Sequence, residues 1–167
     1  MTTLAIVQAR MGSTRLRGKV MRPLAGQPVL WHVLTRVQAC SQLDGVVLAT
    51  TTRGEDECLV RLAEDLGVSV FRGSEADVLD RYYQAARRFS PSAVVRITAD
   101  CPLIDPAVVG RAIETFHRAA GRYDYVSNTV ERTFPDGQDV EVLSFQALKR
   151  AWQSASVSYK CEVAVSR

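Results

Sequence analysis

Short apolar runs alternate along this chain with longer stretches that carry apolar residues at helical spacing. The runs are four to six residues long and predict strands at 3–8, 45–50, 68–71 and 93–98. The amphipathic stretches predict helices at 28–40, 55–67, 74–89 and 106–120. Strands that alternate with helices in this way favour an α/β fold in which a mostly parallel sheet is covered on both faces.

Cap residues refine the ends of these helices. Ser74 and Asp77 lie at the start of the third helix, where they resemble a capping box with Asp in place of Glu. Asp105 precedes Pro106, which suits the first position of the fourth helix. Two further strands are predicted at 123–128 and 139–144, and a last helix at 145–152 with Ser144 as its cap.

The overall composition is that of one globular domain. The chain has 167 residues, of which 47% are hydrophobic and 23% charged. Its apolar runs are shorter than the roughly 20 residues needed to cross a bilayer, and its start lacks a basic signal-peptide region, so we predict a cytoplasmic protein. The formal net charge of only +3 argues against a nucleic-acid partner.

The predicted topology also says where a ligand should bind. In open parallel sheets, ligands lie outside the carboxyl ends of the strands. This rule selects three segments of the chain: 9–19, 50–54 and 98–105.

The first of these segments reads ARMGSTRLRGK. Two glycines, Gly12 and Gly18, allow backbone N–H groups to come close to an anion, and the loop's arginines and Lys19 suit a phosphate chain. The loop is not a P-loop, because five residues separate the glycines and Val20 follows the lysine. The alternative from residue types alone is a solvated basic loop, and the position after a strand favours phosphate.

Two acidic features follow the later strands. Asp100 ends the run AVVRITAD, where a single carboxylate suits Mg²⁺ that takes its other ligands from phosphate; the alternative is a turn residue. The segment TFPDGQDVEV holds Asp136, Asp139 and Glu141. The last two share a face of a strand and could bind a cation, an amine or a sugar hydroxyl, unless this is only a polar edge strand.

Five motifs in order resemble one known family. ARxGSTRLxGK, VxATT, RGSExDVLxRY, VRITADCPLIDP and DYVSNTxxRTFPDGxDVEV look like the cytidylyltransferase-type spore coat polysaccharide biosynthesis proteins, which are similar to CMP-sialic acid and CMP-Kdo synthetases. The resemblance covers residues 4–152 and implies a three-layer Rossmann-like nucleotidyltransferase fold, close to glycosyltransferase A. It also implies CTP, a sugar substrate and Mg²⁺ as ligands, and it allows a homodimer.

The resemblance further implies roles for individual residues. The triphosphate would be held by Arg10, Gly12, Ser13, Arg15 and Lys19. The cytidine would lie near Thr50, Arg72, Arg81 and Thr98, and the sugar near Asp136, Asp139 and Glu141. Asp100 would carry the metal, and Arg15, Lys19 and Asp100 would be catalytic. The implied reaction is attack of a sugar hydroxyl on the α-phosphorus of CTP, with release of pyrophosphate.

The chain departs from the family pattern at two places. Arg17 stands where the family usually has proline in RLPGK. Residues 153–167 share no motif with the family's usual continuation, which predicts a truncated member without a second metal-binding carboxylate. Two alternatives therefore remain: a nucleotide-binding protein with impaired catalysis, and a glycosyltransferase. The second is weaker, because that fold usually displays a DxD pair and Asp100-Cys101-Pro102 has one acid.

Overall fold

The computed structural model describes residues 1–13, 16–131 and 134–155. The strands are β1 (Thr3–Gln8), β2 (Pro23–Leu24), β3 (Gln27–Pro28), β4 (Gly45–Thr51), β5 (Ser69–Gly73), β6 (Ala93–Thr98), β7 (Tyr125–Ser127) and β8 (Glu141–Ser144). The α-helices are α1 (Val29–Gln38), α2 (Glu57–Asp65), α3 (Val78–Phe89), α4 (Pro106–Arg118) and α5 (Phe145–Ser154). Two single 3₁₀ turns span Lys19–Met21 and Gly54–Asp56.

Six of the strands form one sheet in the order β5-β4-β1-β6-β8-β7. The first four are mutually parallel, whereas β8 is antiparallel to both β6 and β7. The mostly parallel α/β architecture expected from the sequence is thereby confirmed. None of the helices in the described ranges is long and apolar enough to cross a membrane.

Alternate side chains of β1 supply two separate cores, one on each face of the sheet. Ala5 and Val7 pack with buried residues of α1, α2 and α4, whereas Leu4 and Ile6 pack with those of α3 and α5. These four side chains are at most 9% exposed, so the central strand is buried on both sides. Burial on both faces explains why its sequence is continuously apolar instead of alternating.

Of the three predicted helix caps, those of α4 and α5 are confirmed as predicted. The side chain of Asp105 accepts a hydrogen bond from Ala107 N at 2.8 Å, and that of Ser144 accepts one from Ala147 N at 3.0 Å. The third helix, α3, begins at Val78 rather than 74, and Asp77 is its cap. Ser74 instead accepts a hydrogen bond from Asp77 N at 3.0 Å, which makes a turn before the helix.

A small hairpin that the sequence reading did not predict connects β2 to β3. Its two turn residues, Ala25 and Gly26, both have positive φ (49° and 86°), as a type I′ turn requires. The hairpin lies directly before α1, which is why that helix starts at Val29 and has Pro28 as its cap residue.

Candidate functional site

Three polar loops meet where the order of the strands reverses. From β1 the chain passes to β4 and then β5 on one side, and it crosses to β6 on the other side. Ala9 N donates to Ala49 O, and Ala99 N donates to Gln8 O, each at 3.2 Å, so β4, β1 and β6 end side by side. Such a switch point is where open α/β sheets bind ligands.

Lys19 and Asp100 form an ion pair in the crevice between these loops. The Lys19 Nζ to Asp100 Oδ2 distance is 2.5 Å, and the two side chains remain 31% and 41% exposed. Burial alone would raise the pKa of Asp100, but hydrogen bonds from Lys19 and Thr98 and the Lys19 charge lower it below its ordinary value. Asp100 is therefore an ionised, accessible carboxylate beside a cation. Three predicted site residues, Lys19, Thr98 and Asp100, are thus brought together.

The loop after β1 folds back on itself at one peptide group. Met11 O accepts hydrogen bonds from Ser13 N and Gly18 N, both at 2.9 Å. Gly18 has φ 67° and opens the 3₁₀ turn that carries Lys19. A Cβ on Gly12 would lie 3.3 Å from Glu55 Oε1, so this glycine allows close approach of a neighbouring loop. Arg15, predicted to be catalytic, lies outside the described residues.

Arg10 and Arg81 lie on the α3 side of this crevice. Arg10 lines a shallow cleft with Glu75, Ala76 and Val78, and its Nη1 donates to Glu75 O at 3.4 Å. Arg81 is fully buried and donates from Nη1 to Ser74 O. Its Nε and Nη2 have no hydrogen-bond partner among the described residues. Burial lowers the pKa of Arg81 and the charge of Arg10 adds to this, whereas Tyr82, Asp56 and Asp77 act in the other direction.

Thr50 and Arg72 lie on the opposite face of the sheet from Arg81. Thr50 is 0% exposed, and Arg72 is its neighbour across β4 and β5. The guanidinium of Arg72 bonds Thr51 O, Arg53 O and the carboxylate of Glu57, at 3.1, 2.9 and 2.8 Å. All three nitrogens of Arg72 are therefore used within the protein, and a contact of either residue with cytidine stays a prediction.

The three predicted sugar-binding acids have different surroundings. Asp136 is exposed and Asp139 is half-buried. Glu141 is buried and pairs with Arg96, its neighbour on β6, at 2.5 Å. Burial raises the pKa of Glu141, although the charge and hydrogen bond of Arg96 act in the other direction.

One glutamine ties this acidic segment to the loop that follows Asp100. Gln138 Nε2 donates to Leu103 O at 2.6 Å, and Gln138 Oε1 accepts from Asp105 N at 2.8 Å. The acidic segment therefore lies against the Lys19–Asp100 side of the crevice.

One buried carboxylate was missed by the sequence reading. Asp56 is 1% exposed and accepts hydrogen bonds from Met11 N at 2.7 Å, from Thr51 N at 3.2 Å and from the Thr51 hydroxyl. In the sequence it is simply an acid in the first turn of a helix. Its partner Met11 is 45 residues away, so no local pattern could have indicated the contact.

The fold and this crevice define a class: α/β proteins with a Rossmann-like nucleotidyltransferase architecture and a polar site at the sheet's switch point. A family model described as Cytidylyltransferase matches residues 4–164, and the chain belongs to that family. The matched range extends beyond Trp152, where the motif resemblance in the sequence ends.

Individual relatives agree with this membership. An uncharacterized protein of Methanocaldococcus jannaschii is 40% identical over 162 residues, which are 97% of this chain and 65% of that protein. Spore coat polysaccharide biosynthesis protein SpsF of Bacillus subtilis is 38% identical over 129 residues, 75% of this chain and 54% of that protein. The chain therefore spans between about half and two thirds of the length of these relatives.

Solved structures give the same fold. A cytidylyltransferase from Leptospira borgpetersenii superposes with a TM-score of 0.93 at 34% identity. The superposition covers 98% of this chain and 69% of that protein. A CMP:2-keto-3-deoxy-manno-octonic acid synthetase complexed with CTP superposes with a TM-score of 0.75 over 93% of this chain and 79% of its own. At 15% identity, that second likeness concerns the fold alone.

Proposed function

We propose that this chain is a CTP-dependent cytidylyltransferase that forms a CMP-sugar and releases pyrophosphate. The observation that carries the proposal is the Lys19–Asp100 pair at the switch point of the sheet. Membership of the cytidylyltransferase family supports CTP as the nucleotide. A synthetase whose solved structure is a complex with CTP has the same fold.

The triphosphate would lie along the loop after β1. Arg10 and Lys19 supply cations, Gly12 lets the backbone come close to an anion, and Ser13 supplies a hydroxyl donor, which together suit a polyphosphate. Arg15 is included in this set by the family resemblance. Lys19 would exchange its bond to Asp100 for one to a phosphate oxygen, because a phosphate carries more negative charge than a carboxylate.

The base would lie on the side of Arg81. Buried donors without a partner are costly, and Arg81 has two such nitrogens. A carbonyl oxygen of cytosine is an acceptor that could satisfy them once the residues that cover the buried Arg81 have moved aside. Thr98, next to the Lys19–Asp100 pair, would complete the nucleotide contacts.

Asp100 would hold Mg²⁺. The described residues contain no group of three or more His, Cys, Asp or Glu that could hold a metal ion. Mg²⁺ suits such a site, because it commonly binds through one or two carboxylates and takes its other ligands from phosphate and water. When bound, the ion would neutralise charge on the phosphates, and the ionised state of Asp100 favours it.

In the proposed reaction, the oxygen of a sugar hydroxyl forms a bond to the α-phosphorus. The bond from that phosphorus to the bridging oxygen breaks, pyrophosphate leaves with the electron pair, and the hydroxyl proton is lost to solvent or to a carboxylate. The cations of the loop stabilise the growing negative charge, and the rest of the catalysis is positioning.

The sugar would bind beside Asp136, Asp139 and Glu141. Gln138 supports this position, because it holds the acidic segment against the Asp100 loop. The similarity to a spore coat polysaccharide biosynthesis protein suggests a sugar destined for a surface polysaccharide. Glu141 would contact the sugar either while it is paired with Arg96 or after this ion pair has separated.

A pyrophosphate-release assay with CTP and a panel of nonulosonic and amino sugars tests this function. Replacing Lys19 or Asp100 with Ala should lower the rate by about 100-fold or more, because each removes a charge needed in the transition state. Lys149→Ala, on α5, is the matched control and should keep the wild-type rate. Wild-type rates in the Lys19 and Asp100 variants, or no release with any sugar, would contradict the proposal.

A further inference from the structure

Asp56 lies beneath two of the loops that form the crevice. It is 1% exposed, and a carboxylate at that depth needs hydrogen bonds to stay in place. Two of its bonds go to Thr51 at the end of β4, through the backbone N–H and the hydroxyl. The third goes to Met11 N at 2.7 Å, in the loop after β1. One side chain therefore joins the ends of two neighbouring strands.

The backbone of Met11 holds the two ends of the loop after β1 together. Its N–H is donated to Asp56, and its carbonyl oxygen accepts from Ser13 N and Gly18 N. The two ends of the loop are therefore held by one residue, which is held in turn by one buried carboxylate. Lys19 follows Gly18 directly, so its position depends on this closure.

The neighbour of Asp56 holds the same loop from outside. Glu55 bonds Arg17 at 2.7 Å, and Gly12 packs close to its carboxylate. A loop with two glycines has much conformational freedom to lose when a ligand binds. The buried Asp56 and the more exposed Glu55 restrict the loop before the ligand binds. Less conformational entropy is therefore lost on binding.

We propose that Asp56 is a positioning residue that holds the loop after β1 in the shape that receives the triphosphate. The proposal rests on the proposed function, since it takes the nucleotide to be CTP. Asp56 would act mainly on affinity for the phosphates, because its bond to the loop is made through Met11. Its charge also acts on Arg81, so only a smaller change is expected at the cytidine end.

The test compares the binding of CTP and of cytidine to Asp56→Asn by calorimetry. The asparagine turns one acceptor oxygen into an NH₂ donor, which faces the N–H of either Met11 or Thr51. We expect CTP to bind about tenfold more weakly and cytidine to bind within about twofold of wild type. Asp44→Asn is the control, because Asp44 accepts from Thr3 N at 2.7 Å at the other end of β1.

Unchanged affinity for CTP in both Asp56→Asn and Asp56→Ala would overturn the proposal, because the alanine leaves no acceptor for Met11 N. Equal losses for CTP and cytidine would also overturn it, because they would indicate general damage to the fold. A loss of the same size in Asp44→Asn would do so as well, since any carboxylate bonded to β1 would then have the effect.

The wild-type chain gives a second test that needs no variant to fold. Amide hydrogen exchange at Met11 without nucleotide should be slowed at least about 100-fold relative to an unstructured peptide, as for the amide of Thr51. Exchange of Met11 at the unstructured rate would refute the anchor, whether or not Asp56→Asn folds. Absence of CTP binding by a wild-type chain with a protected Met11 would instead count against the proposed function.

Discussion

At the scale of single residues, Arg17 has a partner that its sequence does not indicate. The family resemblance would place proline at this position, and the arginine adds a cation to a loop that already has several. In the structure it bonds Glu55 at 2.7 Å, and Glu55 in turn lies against Gly12. Arg17 thus makes an ion pair to a neighbouring loop at a position where a proline would restrict the backbone.

This pair should matter more for binding than for stability. Arg17 is 80% exposed, and exposed ion pairs contribute less than about 1 kcal/mol. We expect Arg17→Ala to change the free energy of unfolding in urea by less than about 1 kcal/mol. The same variant should weaken CTP binding by about two- to fivefold, because the loop loses one anchor.

Arg118→Ala is the matched control for this prediction. Arg118 is 81% exposed and pairs with Glu114 on the surface of α4, so it should show the same small effect on stability. Its CTP affinity should equal that of wild type. Equal CTP affinities for the Arg17 and Arg118 variants would contradict the role given to Arg17.

At the scale of elements, β8 is attached to β6 by an ion pair as well as by its backbone. Arg96 and Glu141 are register partners on these antiparallel strands, and their side chains are only 21% and 12% exposed. The pair is made by Arg96 Nη1, and Arg96 Nε has no hydrogen-bond partner among the described residues. Loss of Glu141 would therefore leave a poorly solvated charge between the sheet and α3.

This argument predicts unequal costs for single and double replacements. Glu141→Ala should lower the free energy of unfolding by about 3 kcal/mol, because it leaves Arg96 unpaired. Arg96→Met combined with Glu141→Leu should cost less than Glu141→Ala alone, since it removes both charges and fills the space. Urea unfolding of the three proteins provides the measurement. A double variant that is the least stable of the three would contradict the prediction.

The elements themselves could be predicted because their signals are local. Strands β1 and β6 have the bounds read from the sequence, since unbroken apolar runs mark strands that are buried on both faces. The start of α4 followed from Asp105 and Pro106, which are adjacent. The hairpin of β2 and β3 was missed, because strands of two residues have no periodicity to detect.

The contacts that shape the site could not be predicted, because they are not local. Asp56 lies 45 residues from Met11, and Glu141 lies 45 residues from Arg96. The position of Lys19 near Asp100 followed only in outline, from the rule that the carboxyl ends of parallel strands share an edge. Which carboxylate pairs with which cation depends on side-chain packing that a single sequence does not reveal.

At the scale of the whole molecule, the crevice is built from parts of the chain that only the sheet brings together. Lys19 follows β1, Asp100 follows β6, and Glu55 and Glu75 come from the connections after β4 and β5. A nucleotide bound across these loops would link all four parallel strands at one edge. Binding to the folded chain alone should therefore stabilise the whole domain and not one loop.

Thermal unfolding with and without nucleotide tests this expectation on the chain itself. A ligand at 100 times its Kd adds about 2.7 kcal/mol of stability, which in a domain of this size raises Tm by about 5–10 °C. We expect CTP to produce this shift in wild type and a clearly smaller one in Lys19→Ala, whose phosphate contact is lost. GTP should shift Tm less than CTP, because a purine presents different acceptors to Arg81. Equal shifts for the two nucleotides, or none with CTP, would contradict a cytidine site in this crevice.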